Sequence, residues 1–375
     1  MQGTFKLGTI AGIDIRVHYS WLIALAFVSW SLAVGYFPMA GAALGTRNEW
    51  ILGLVSALLL FGSVLVHELA HSLVARAQGL RVEHITLFIF GGISTIAQEA
   101  TSARDEFLVA VVGPLTSLAL GGVFWLIGLV VPPVSATAAV ASYLAVANIG
   151  LGVFNIVPGF PLDGGRVLRS IVWAVTDNYG RATRIASYVG QAVAFVLIGW
   201  GLLRVFDGDV SGGLWIAFIG WFLNTGAEAS RQQVTVRNAL GGVPVERVMN
   251  PLPEAASPVL SVSDFVVDHV LRRGQRALPI VENGRLVGLM SITDAKHLSQ
   301  QAWATTPVGD VMTRMPLKTL TPESDLTLAL ELMVQNGIHQ LPVVRNGVLV
   351  GVVSRGDVMR YLQHGPTSQP PARAA

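Results

Sequence analysis

The chain has 375 residues, 52% of them hydrophobic and only 13% charged, where an ordinary globular protein carries about 25% charged residues. That balance excludes a soluble protein for the chain as a whole, and a net charge of +2 without any basic tract excludes a nucleic-acid partner. The absence of cysteine excludes disulfides and cysteine-based metal or nucleophile sites. Residues 1–230 are mostly apolar and read as membrane-embedded. A linker at 231–245 follows, then a soluble α/β region at 246–364 and a Pro- and Ala-rich, disordered tail at 365–375.

Residues 1–20 alternate loosely through Phe5, Leu7, Ile10, Ile13, Ile15 and Val17, which predicts a short hairpin at a membrane surface. A cleaved signal peptide is the competing reading, with Lys6 and Arg16 ahead of an apolar run and Ala40-Gly41-Ala42 after it. The stretch ahead of that run is too long and too structured for an n-region. The first span runs from Trp21 to Phe37 and the second from Trp50 to Ala75. Within the second lies His67-Glu68-Leu69-Ala70-His71, and the only other polar side chains there are Ser56, Ser63 and Ser72. On a helix His67 and His71 share a face one turn apart, so both imidazoles can reach one metal ion. Glu68 is rotated about 100° from His67, near enough to take a proton from a water that the metal activates. Two imidazoles and a carboxylate at bilayer depth must face a protein interior or a wet cavity. A chance match would bury Glu68 to no purpose, at a cost on the order of several kcal/mol. The pattern therefore points to one zinc ion per chain, for which a third ligand is required.

Between Leu80 and Glu99 the segment Ile85–Ile96 is too short to span, β-rich and broken by Gly91-Gly92, which predicts a hairpin or re-entrant loop against the metal helix. Its edge could pair with an extended substrate strand. A third span covers about Glu106 to Val131 and is kinked at Pro114. The fourth covers Ala138 to Val157, the fifth Ile185 to Phe206 and the sixth Leu214 to Ala227. Lys6, Arg16, Arg76, Arg81, Arg104, Arg166, Arg169, Arg181, Arg184, Arg231 and Arg237 collect on one side, against Arg47 and Arg204 on the other. Both termini are therefore expected in the cytosol, with the active site in the cytosolic half of a multi-pass cell-membrane protein. Asp163, in the turn Pro161-Leu162-Asp163-Gly164-Gly165 just past the fourth span, comes to the depth of His67 and His71 and is the expected third ligand. The alternative is a plain N-cap for the helix that follows.

His67-Glu68-x-x-His71 followed by Asn155-x-x-Pro158-x-x-Pro161-Leu162-Asp163-Gly164 resembles the site-2 protease family of intramembrane zinc metalloproteases. Phe90-Gly91-Gly92, Gly113-Pro114 and the six spans fit the same resemblance, which covers about residues 1–230. It implies zinc on His67, His71 and Asp163, with Glu68 as general base and Asn155 polarising or holding the scissile carbonyl. It also implies a membrane-anchored substrate with one span, already trimmed by another protease. An Asn in a span that only bonds a neighbouring helix is the plainer reading of Asn155.

Residues 246–301 and 309–364 are two copies of one unit, offset by 63 residues. Val248-Met249 recurs at Val311-Met312, Leu278–Val281 at Leu341–Val344, Gly288–Ser291 at Gly351–Ser354 and Asp294 at Asp357. Asn283-Gly284 and Asn346-Gly347 mark hairpin turns. A β-α-β-β-α unit that cannot bury its own face is expected to pack against its twin. The pair resembles tandem CBS domains. That resemblance implies a homodimer or regulatory module whose cleft takes ATP, ADP or AMP, with Asp294 and Asp357 on ribose and Ser291 and Ser354 on phosphate. An Asp at a helix start is also a common N-cap, which leaves the local reading open.

The expected fold is thus a polytopic α-helical membrane protein of six transmembrane helices with a β-hairpin, followed by an α/β tandem CBS domain. The expected function is an intramembrane zinc endopeptidase that works on membrane proteins in contact with lipid. A CBS-gated ion channel or transporter is the rival from another class, and it predicts polar residues spread over several spans. An inactive scaffold is the second rival, opposed by intact His67, Glu68, His71 and Asp163.

Overall fold

In the computed structural model residues 3–40, 45–96, 100–251 and 253–365 are described. Gly41 and Ala42 of the cleavage reading, Glu99, and the tail beyond Gly365 lie outside them. The chain divides into two units, Met1–Val234 and Thr235–Ala375.

The first unit is built on long apolar helices. Among the described residues six are long and apolar enough to cross a membrane: α1 (Ser20–Met39), α2 (Thr46–Ala77), α3 (Ala103–Val130), α4 (Ala136–Ile156), α6 (Tyr179–Phe206) and α7 (Val210–Leu240). Between α4 and α6 lies α5 (Asp163–Thr176), which is too short to span. At α3, α4 and α6 the polar residue ahead of the apolar run starts the helix. Ser102 accepts from Asp105 N–H, Ser135 from Ala138 N–H and Asn178 from Arg181 N–H, which satisfies one orphan donor at each N-terminus. The π-turn Leu32–Tyr36 interrupts α1, and the Tyr36 hydroxyl donates to the Ala139 carbonyl of α4 at 3.0 Å.

The N-terminal hairpin and the hairpin after α2 form one sheet, which their separation in the chain conceals. Strands β1 (Thr4–Ile10) and β2 (Ile13–His18) pair antiparallel, as do β3 (Val82–Phe88) and β4 (Gly91–Ile96). Parallel pairing of β2 with β3, Ile15 opposite Ile85 and Val17 opposite Leu87, joins them in the order β1-β2-β3-β4. Alternation along β2 turns Ile13 and Ile15 inward with Ile85, and these pack on Leu65 and Leu69 of α2. Strand β4 is left as an outer edge.

The second unit carries the repeat, but its segments are exchanged between the copies. Helix α8 (262–272) opens with one α-turn and continues as the π-helix Phe265–Arg272. Strands β5 (Ala277–Glu282) and β6 (Arg285–Ser291) follow, then α9 (Ile292–Ala295), α10 (Val308–Val311) and β7 (Thr313–Arg314). The second copy supplies α11 (Leu326–Gln335), β8 (Gln340–Arg345), β9 (Val348–Ser354) and α12 (Arg355–His364). The sheet order is β5-β6-β9-β8, with β7 on β6. The leading strand of each expected β-α-β-β-α unit is reduced to one bridge, Ala256 with Ile280 and Leu320 with Val343.

Val245 N–H donates to the Ser324 carbonyl and Val308 N–H to the Leu260 carbonyl. Val245 is therefore buried in the core of the second copy, beside Leu341 and Val353, and Val308 in that of the first, beside Leu278 and Met290. Each copy's lead-in completes its twin's core, so the two cannot be separated at 301. The stretch 231–245, expected as a linker, is helical to Leu240, and Leu240, Val243 and Val245 are core residues. Burying three apolar side chains favours this over a solvated linker.

Candidate metal centre

Three faces of α2 meet three different partners. Leu65 and Leu69 face the sheet, Glu68 and Ser72 face β4, and His67 and His71 face α3 and α5. Residues one position apart are rotated by about 100°, so the i,i+4 pairs of one helix separate into these roles.

His67 and His71 are buried, and Asp163 is 15% exposed at its side chain. Asp163 Oδ2 lies 3.1 Å from His67 Nε2 and 3.2 Å from His71 Nε2, and the two Nε2 atoms are 3.1 Å apart. The outer nitrogens are already engaged. His71 Nδ1 donates to the Val109 carbonyl at 2.5 Å, and His67 Nδ1 lies 2.9 Å from Ser117 Oγ. A carbonyl can only accept, so His71 carries its proton on Nδ1 and presents a bare Nε2 to the centre. Such partners on the far nitrogen orient metal-binding imidazoles.

The donor set and its spacing fit a cation. A tetrahedral zinc ion with bonds of about 2.0–2.1 Å holds its ligand atoms about 3.3 Å apart. His67, His71 and Asp163 form the one such cluster among the described residues. Gly113 of α3 passes directly over it, and a Cβ there would run into Nε2 of both histidines. Pro114, next in the chain, lacks the N–H that would close a helix bond to Ala110.

The N-cap reading of Asp163 does not hold. Leu162 is the N-cap of α5, and the Asp163 carboxylate turns to the histidines. The preceding turn is packed tightly, since a Cβ on Gly164 would strike the Ile156 and Val157 carbonyls.

Glu68 is half-buried under β4. Ser94 Oγ donates to its Oε2 at 2.7 Å, Ser72 Oγ donates to Ser94 Oγ at 3.1 Å, and a Cβ on Gly92 would lie 2.5 Å from Glu68 Cγ. The Asn155 side chain, half-buried near the end of α4, makes no hydrogen bond to any of these groups or to other described residues. Ser117, the Val109 carbonyl and Ser94 are the contributors that motif reading misses. Two had a faint signal: Ser117 is one turn beyond Gly113 on α3, and Ser94 is two residues beyond Gly92 on β4.

Ser291 with Asp294 and Ser354 with Asp357 each form a capping box. Ser291 N–H and Oγ donate to Asp294 Oδ2 at 2.8 and 2.6 Å, and Ser354 N–H and Oγ to Asp357 Oδ2 at 2.9 and 2.6 Å. The returning bonds from Asp294 and Asp357 N–H complete both boxes.

Residues 55–142 and 134–197 match the model of peptidase family M50, and residues 308–364 match the CBS domain. Rip3 of Mycobacterium tuberculosis, whose name is that of a zinc metalloprotease, is 36% identical over 99% of this chain and 95% of its own. The zinc metalloprotease MJ0392 of Methanocaldococcus jannaschii is 28% identical over 96% of this chain and 97% of its own. Among solved structures, a site-2 protease from Methanocaldococcus jannaschii is 27% identical with a TM-score of 0.44, covering 61% of this chain and 95% of that one. The channel reading finds no support among these relatives.

Proposed function

The chain belongs to peptidase family M50, as a multi-pass zinc metalloprotease of the site-2 type with a CBS domain, and from that premise we propose that it cuts membrane-anchored proteins within or beside a transmembrane segment. The observation that carries this reading is the convergence of His67 Nε2, His71 Nε2 and Asp163 Oδ2 at spans' depth, with both outer imidazole nitrogens already engaged.

His67, His71 and Asp163 would hold the metal. Zinc there would supply a Lewis acid that lowers the pKa of water toward about 7. Glu68 is the group that takes a proton from the attacking water and returns it to the leaving amine. Its Oε2 is held by Ser94, which leaves Oε1 to carry the proton. Asn155, with an uncommitted amide, holds the scissile carbonyl. A helical peptide bond has its carbonyl occupied, so the substrate must unwind locally, and the free edge of β4 offers it a partner strand. The substrate class is a protein with one span, already trimmed by another protease. Both termini lie in the cytosol, and the CBS pair regulates the protease or joins two copies, with adenosine nucleotide at Ser291 and Asp294 or Ser354 and Asp357.

Mass spectrometry of products from a single-span substrate reconstituted with the protein tests this. Cleavage inside or within a few residues of the span is expected; cleavage confined to a distant soluble segment would sink the proposal.

A further inference from the structure

Among the described residues, the most deeply buried carboxylate of the membrane unit lies outside the ligand cluster. Glu106, in the first turn of α3, is 1% exposed, and Arg169 of α5 donates to its Oε1 from both Nε, at 2.7 Å, and Nη2. Arg166 Nε stands 3.9 Å from the same oxygen. The Arg169 guanidinium also lies over two rings, Phe160 at 4.9 Å and Tyr179 at 4.7 Å. Phe160 is buried in the turn that leads into Asp163, and Tyr179 opens α6. One side chain therefore ties α5 to α3, to the turn before it and to the helix after it.

These attachments matter because of what each helix carries. Helix α5 bears Asp163 at its first position but does not span, so the bilayer does not set its depth. Helix α3 bears the Val109 carbonyl and Ser117, which orient the imidazoles, and Gly113, which leaves room for them. The remaining Glu106 oxygen, Oε2, is buried without a partner among the described residues. A pair arranged for stability alone would satisfy it, and buried ion pairs contribute little net stability against apolar replacements. What a bifurcated, ring-stacked arginine does supply is one fixed position.

We propose that Arg169 and Glu106 are positioning residues that hold Asp163 against His67 and His71. This rests on the reading of Asp163 as a metal ligand.

The test uses the full chain in detergent. Zinc retention is measured against graded chelator, alongside kcat, KM and the thermal unfolding midpoint. The variants are Glu106→Gln, Arg169→Gln, Arg169→Lys, the double Glu106→Gln/Arg169→Gln, and Asp163→Asn. Each single Gln variant should release zinc at about tenfold lower chelator, as removal of outer-shell partners does. kcat should fall while KM holds. Arg169→Lys should recover part of the loss, and the double variant should be no worse than the worse single one, because the two act as a unit. Should Arg169→Gln fail to accumulate, Glu106→Gln, of nearly the same shape, carries the test. Zinc retention equal to wild type in both single variants overturns the proposal, and so does a lowered midpoint with unchanged retention. Asp163→Asn separates the premise: if it retains zinc like wild type, the ligand reading itself fails.

Discussion

In the membrane unit the hydrogen bonds of His67, His71 and Glu68 reach partners 26, 38, 50, 92 and 96 residues away. In the CBS unit Ser291, Asp294, Ser354 and Asp357 close their boxes on partners three residues away. The two sites contain similar residue types, yet their bonds ask different things of the fold. A capping box forms wherever a helix starts and is explained by the helix. Two buried imidazoles and a carboxylate brought together from two helices are costly unless a cation joins them, so the non-local cluster requires a function where the local ones do not.

The sharpest way to break this contrast is Gly113→Ala. Its methyl group would take the space of both Nε2 atoms, so stoichiometric zinc and cleavage should both be lost while the protein still accumulates. Elemental analysis of the purified variant is the check, and a full zinc complement would show that the cluster is not the metal centre. Ser117→Ala removes the partner of His67 Nδ1 and should weaken zinc about 10–100-fold in chelator competition. Ser94→Ala should act on the other face of α2. Zinc stays, but kcat falls about tenfold, a part of what a positioned general base contributes. The smallest effect belongs to the CBS unit: Ser354→Ala removes an N-cap, should cost about 1 kcal/mol in denaturant unfolding, and without added adenosine nucleotide should leave zinc and cleavage unchanged. A change in cleavage there would mean that this box does more than start a helix.

The same contrast sets what was legible in the sequence. His67, Glu68 and His71 lie in one helical turn, where spacing alone places them. The 63-residue offset exposes the repeat without any fold. Asp163 could be matched in depth because spans and charged connections fix depth. The Val109 carbonyl could not be read, since a backbone oxygen carries no pattern of its own, and Ser117 had only its place one turn beyond Gly113 to mark it. Pairing of β2 with β3 was hidden because strands 70 residues apart leave no local signal, as Asp14 opposite His84 illustrates. The exchanged lead-ins were hidden for the same reason: Val245 and Val308 are apolar in either arrangement, and only the tertiary packing decides whose core they enter.

The central claim is that His67, His71 and Asp163 hold zinc while Glu68 moves the proton. Zinc content and cleavage of a reconstituted single-span substrate, measured side by side for wild type and Glu68→Gln, address it most directly. The account predicts about one zinc per chain in both proteins, as one three-ligand centre implies, with cleavage by wild type alone. Stoichiometric zinc missing from both, or undiminished cleavage by Glu68→Gln, would contradict it.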